Sequence, residues 1–180
     1  MASKYDEHEF EAVLGTVPIN SGCHYWEVTL DKFYERDSII LGVVEKGVDI
    51  KTTRLFDCGK FYGWMCASSK KIYPNVPGGS HITKEYAGES EYCNIGDTVG
   101  CIFEFKNNIG YMTFLRNGKS LGICFDNIPA GSYYPVAYLN YGEIIIRLDS
   151  KARIEDCEKP KERKVEEERP RDSRMEEEEE

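Results

Sequence analysis

The chain has 180 residues, 41% apolar and 31% charged, with a formal net charge of −9. That suffices for one domain, or one domain with a tail. No apolar run approaches the roughly 20 residues of a membrane helix. Met1-Ala2-Ser3-Lys4-Tyr5 lacks a signal-peptide apolar stretch, and the acidic balance argues against nucleic acid, which needs a clustered basic face.

Residues 1–11 read as an N-terminal extension. Beyond it, short strands alternate with turns, and no long window shows helical periodicity. His24, Trp26, Val28 and Leu30 alternate with Tyr25, Glu27 and Thr29, the period of a half-buried strand. Tyr34 and Arg36 fall in the following turn and are residue types that anchor interfaces. Ile39 to Val44 is apolar on both faces, as in a central strand covered on both sides. Tyr62, Trp64 and Cys66 share a face, and the two tryptophans, each burying on the order of 200 Å², belong to the core. Val99, Cys101, Phe103 and Phe105 form another face. Asn117-Gly118 between Tyr111–Arg116 and Lys119–Phe125 predicts a type I′ hairpin. Arg116 and Lys119 beside it are expected to be solvated. A second tight turn falls within Lys106–Gly110, and a last strand places Ile144, Ile146 and Leu148 opposite Glu143, Ile145, Arg147 and Asp149.

Two stretches resist strand assignment: Glu45 to Lys60, and Pro74 to Asp97. Long loops of this kind are where binding surfaces are found. Lys151 to Glu180 carries nine basic and thirteen acidic residues with little apolar material, so 151–180 is expected to be a disordered charged tail. Seven cysteines, an odd number without Cys-x-x-Cys spacing, point to free thiols in a reducing compartment and to no structural metal.

Catalysis finds little support. Three histidines argue against a His-dependent site. His24 reads as a core or rim residue, and there is no Gly-x-Ser-x-Gly elbow. Pro77-Gly78-Gly79-Ser80 lacks the Lys and helix of a phosphate loop. No cofactor is expected.

In order and spacing, Ser21 to Val28, Leu41-Gly42-Val43, Tyr62-Gly63-Trp64 and Lys71-Ile72-Tyr73 resemble the SPRY domain family. So do Ile95 to Cys101, Phe114 to Gly122, Tyr134-Pro135-Val136 and Ile146-Arg147-Leu148. The resemblance spans roughly residues 12–149 and assigns 12–150 to the domain. It implies an all-β fold, a bent antiparallel sandwich of two sheets, and a non-catalytic module that captures a peptide or folded protein through rim loops. Relatives occur in tripartite-motif ubiquitin ligases, butyrophilins and SOCS-box adaptors, so substrate recognition or scaffolding in ubiquitin ligation is one role it implies. No RING, coiled coil or SOCS box is present to ligate ubiquitin directly. The adaptor peptide contacts carry over to Tyr73 and to Asn140, Tyr141 and Gly142, and approximately to the Val48-Asp49-Ile50 loop.

Read together, the expected partner-binding residues are Tyr73, Tyr141, Asn140 and Gly142, with Lys46, Asp49, Asn75 and Tyr34 around them. The loops after Val44, after Tyr73 and before Glu143 are expected to converge on one rim. A cytoplasmic monomer with a protein or peptide partner, no nucleic acid and no membrane insertion is the expectation. The other reading is a lectin-like carbohydrate binder using Tyr73 with Asn75, or Asn140 with Tyr141.

Overall fold

A computed structural model describes residues 11–51, 55, 58–68, 70–73, 82–139 and 145–149. Among these, the side chains of Asp37, Tyr73, Ile82, Thr83, Glu89 and 146–149 are outside the description. The expected disordered tail, 151–180, lies outside the described residues, as does most of the N-terminal extension.

Eleven strands are described: β1 (Glu11–Leu14), β2 (Cys23–Lys32), β3 (Ile39–Glu45), β4 (Phe61–Met65), β5 (Lys70–Tyr73), β6 (Ile82–Glu85), β7 (Thr98–Lys106), β8 (Ile109–Arg116), β9 (Lys119–Ile128), β10 (Tyr133–Leu139) and β11 (Ile145–Asp149). They form two antiparallel sheets. One runs β1-β10-β3-β4-β5-β6 and the other β11-β2-β7-β8-β9. This is the two-sheet all-β sandwich that the strand pattern implied.

Alternation decides which side chains meet between the sheets. Leu41 and Val43 of β3 and Tyr62 and Trp64 of β4 face Val28 and Leu30 of β2, Cys101 and Phe103 of β7, and Met112 and Phe114 of β8. Trp64 is fully buried, its ring 5.2 Å from Phe114 and 5.6 Å from Tyr86, and its Nε1 donates to the Ser68 carbonyl at 3.1 Å. Trp26, by contrast, is only half-buried and packs against this core from the side. Lys71 crosses between the sheets: its ammonium donates to the Cys124 carbonyl and lies 5.6 Å from the Tyr86 ring and 5.5 Å from the Phe125 ring.

The even-numbered partners on β3 and the odd-numbered ones on β4 point the other way. Ile40, Val44, Phe61, Ile72, Val136 and Tyr138 build a second core on the outer face of the six-stranded sheet. What covers it is the connection after β3, where Leu55 is buried and Val48, Ile50 and Cys58 pack on the cluster. The 45–60 stretch is therefore in part a cover for the sheet. Its apolar residues are spaced by the needs of that contact rather than by any strand or helix period.

The stretch from Pro74 to Asp97 also differs from its sequence reading. It contains β6, paired with β5 through Lys71↔Lys84 and Ile72↔Thr83, and a 3-10 turn at Glu89–Glu91. Ile82-Thr83-Lys84-Glu85 has one clear apolar residue, because an edge strand needs burial on few positions. Both hairpin expectations hold. Asn117 and Gly118 have φ of 50° and 80°, and Arg116 pairs with Lys119. The second turn is Asn107-Asn108, at φ 52° and 62° between Lys106 and Ile109.

Candidate partner-binding rim

In an antiparallel sheet successive connections leave from alternate ends, and this sorts the expected binding residues into two groups. The first lies where β3 finishes. Val44 pairs with Phe61, so the β3–β4 connection and the end of β5 at Tyr73 share one edge of the sandwich. Lys46 and Asp49 are both exposed there. The Lys46 N–H donates to the Ser132 carbonyl at 2.7 Å, and an Asp49 carboxylate oxygen accepts the Lys51 N–H at 3.0 Å. The Tyr73 side chain and Asn75 lie outside the described residues.

The second group lies at the opposite end, about 20 Å away along the six steps of β3. Leu139 ends β10 opposite Ile39, the first residue of β3. Ile145 opens β11 opposite Lys32. Asn140, Tyr141 and Gly142 lie outside the described residues, but the chain both enters and leaves that segment at this end. The described residues from which the loops after Val44 and before Glu143 leave, Glu45 and Leu139, thus lie at opposite ends of β3. A strand with seven residues stands between them, because β10 runs antiparallel to β3.

Tyr34 belongs to this second end and is 65% exposed, with the Lys32 ammonium 5.5 Å from its ring. Two residues that sequence reasoning passed over join it. Leu30 accepts from the Gly96 N–H at 2.7 Å and donates to the Asp97 carbonyl at 2.9 Å, which brings Ile95 to the end of β2. Ile95 is 59% exposed and Ile145 is 44% exposed. Arg36 stacks over Tyr92 nearby at 5.7 Å. A signal was present for both isoleucines. Ile95 sits between Asn94 and Gly96 in a turn, and Ile145 occupies the polar phase of the last strand.

The 88–97 segment that presents Ile95 is held to the β8–β9 hairpin by charge. Arg116 Nε donates to Asp97 at 2.8 Å and its Nη1 to the Ser90 carbonyl at 2.9 Å. Asn117 Nδ2 donates to Asp97 at 2.7 Å, the Asn94 N–H adds a 2.8 Å bond, and Lys119 reaches Glu91 at 2.9 Å. Burial alone would raise the Asp97 pKa. The donors from Asn117, the Asn94 backbone and Arg116 outweigh it and hold the carboxyl below its ordinary value. Arg116 is therefore a structural anchor, not the solvated residue its place beside a turn suggested. His24 is an exposed rim residue whose Nε2 donates to the Ser21 carbonyl at 2.9 Å.

The chain belongs to the SPRY domain family, whose family profile matches residues 23–150. SPRY domains are generally protein-interaction modules and typically non-catalytic. The Set1/Ash2 histone methyltransferase complex subunit ASH2 of Drosophila melanogaster is 24% identical over 171 residues, covering 72% of this chain. This chain spans 29% of the length of that relative. Among solved structures, the SPRY domain of human HERC1 superposes with a TM-score of 0.63 at 16% identity, over 80% of this chain and 85% of that one. A second human SPRY domain gives a TM-score of 0.63 at 19% identity, over 83% and 89%. At these identities the two structures establish the fold.

Proposed function

We propose that residues 12–150 act as a non-catalytic recognition module that captures a peptide or folded protein at the Tyr34 end of the sandwich. The observation that carries this is the placement of three exposed large apolar side chains, Tyr34, Ile95 and Ile145, where β2, β7 and β11 meet. Such area on strand ends is already ordered, which lowers the entropy lost on binding. Asn140, Tyr141 and Gly142 join the same surface in this reading. Lys46, Asp49, Tyr73 and Asn75 form a secondary surface at the other end, where charge sets partner choice more than affinity.

The module serves a multi-protein assembly, as a scaffold or as its substrate-recognition part. The ASH2 relative, a subunit of a histone methyltransferase complex, supports the first role. Ubiquitin ligation is a second setting of the same kind. A reducing cytoplasmic setting agrees with free thiols at all six described cysteines. A monomer that binds no nucleic acid agrees with the net charge of −9.

The test begins with proximity labelling or pulldown from the native cell, followed by titration of the identified partner. Tyr34→Ala and Ile95→Ser should each weaken binding by about 2 kcal/mol, the scale of an interface hot spot, while Lys46→Ala leaves affinity nearly unchanged. Loss at Lys46 and Asp49 with both rim variants unaffected would move the surface to the opposite end. A glycan-only ligand would reject the protein-recognition reading.

A further inference from the structure

Four cysteines are buried in the core, but they differ in what holds them. Cys101 sits within β7, paired on both sides, and Cys124 within β9, the edge strand, paired with β8. Cys66 lies in the turn just past β4, and Cys93 lies between the Glu89–Glu91 turn and β7. The Cys93 N–H donates to the Cys66 carbonyl at 2.8 Å. A backbone bond of this kind places the two residues side by side, the proximity a disulfide requires. The Cys66 Sγ donates to the Ile39 carbonyl at 3.7 Å, and the Cys93 thiol is near enough to raise the Cys66 pKa.

We propose that Cys66 and Cys93 are a modification site, a thiol pair that closes to an intramolecular disulfide under a peroxide oxidant. One thiolate attacks a peroxide oxygen, giving a sulfenic acid and one water. The second thiol then displaces the hydroxyl from that sulfur as a second water. Two thiols lose two protons and two electrons, and hydrogen peroxide is reduced to two waters.

In the closed fold the pair is inert. Both residues are buried, and the Cys93 thiol together with burial holds the Cys66 thiol well above the ordinary range. Reaction requires the 88–97 segment to lift. Ala87 and Cys93 are the buried apolar residues of the described 86–97 stretch; its other ties are the Tyr86 contacts, the Arg36–Tyr92 contact, the Leu30 backbone bonds to Gly96 and Asp97, the Cys93–Cys66 bond, and the polar contacts from Arg116, Asn117 and Lys119. Segments held this way open at a fraction of the global stability. Closing the bond then fastens the segment that carries Tyr92 and Ile95 to the end of β4. This inference stands on the cysteine geometry and does not depend on the proposed partner surface.

The full chain is treated with graded hydrogen peroxide, blocked with an alkylating agent and mapped without reduction. The expected product is a peptide pair joining Cys66 to Cys93, two hydrogens lighter than its parts. Trypsin leaves Cys93 and Cys101 on one peptide, so fragment ions assign the bond. Cys101→Ala should keep the cross-link and Cys93→Ala should abolish it. Amide exchange over Gly88–Gly96 should slow by about tenfold or more in the oxidised protein. A bond assigned to Cys93 and Cys101 overturns the proposal. So does a map in which Cys66 and Cys93 remain alkylatable while Cys23 or Cys157 is consumed.

Discussion

Asp97 receives Arg116, Asn117 and the Asn94 N–H on one carboxylate that is 14% exposed, so its removal leaves several donors without an acceptor at once. Hydrogen bonds to a charged group of this kind contribute about 1.5–3 kcal/mol. Arg116→Ala should therefore cost about 2 kcal/mol in chemical denaturation. Lys119→Ala, on an ion pair whose lysine is largely exposed, should cost well under 1 kcal/mol. The depressed Asp97 pKa has a definite sign. A carboxyl whose folded value lies below its unfolded one contributes stability that is fully present above about pH 4 and is lost as pH falls through the folded value. The stability gap between the wild type and Asp97→Asn, measured by denaturation at successive pH values, should narrow below pH 4 and stay flat above it. This network was hidden in the sequence because Arg116 finds its partners 19 and 26 residues away, in a stretch without strand periodicity. Ile95 and Ile145 were legible as misplaced apolar residues, but only the Leu30 bonds to Gly96 and Asp97 and the pairing of Lys32 with Ile145 show that they share an end with Tyr34.

Among the elements, β3 and β4 carry both cores at once, and two facing glycines make that possible. Gly42 pairs with Gly63. A Cβ on Gly42 would fall on the Tyr62 carbonyl oxygen and come within 2.7 Å of the Gly63 Cα, both rigid backbone. Gly42→Ala should destabilise by about 3 kcal/mol or more, the range of strained overpacking, and thermal unfolding reads it directly. Trp64→Ala should cost about 3–5 kcal/mol, because its ring loses Phe114 and Tyr86 together and leaves a cavity. Strands with strong alternation or two apolar faces, β2, β3, β4 and β7, could be placed from sequence, and so could the Asn117-Gly118 turn. β6 could not, since its pairing with β5 is set by a partner strand rather than by its own composition. Nor could the outer core. The residues that cover it, Val48, Ile50, Leu55 and Cys58, follow the shape of the sheet beneath them.

For the whole molecule, the sandwich is bound together through tyrosines that must stay neutral. Tyr133 touches Phe103 at 5.6 Å and Tyr62 at 6.3 Å, and Tyr62 touches Phe125 at 5.5 Å, so rings from β4 and β10 meet rings from β7 and β9. Burial first, then the neighbouring Tyr62 and Glu45, push the Tyr133 hydroxyl up to about 12. Burial raises Tyr62, with Glu45 adding to it, and burial raises Tyr86 further still. Unfolded tyrosine ionises near pH 10. A raised folded value means the native state holds its proton longer than the unfolded chain. Stability from these groups is complete below about pH 10 and declines as pH rises toward the folded values. Denaturation midpoints should thus be level through neutral pH and fall between about pH 10 and 12. Tyr133→Phe removes the hydroxyl that donates to the Pro129 carbonyl at 2.9 Å, so it should be less stable than the wild type at pH 8. It should also lose less between pH 8 and pH 11.5, because one of the ionising groups is gone. If the two proteins lost stability in parallel across that range, the alkaline transition would belong to other groups, and the inter-sheet tyrosines would contribute packing alone.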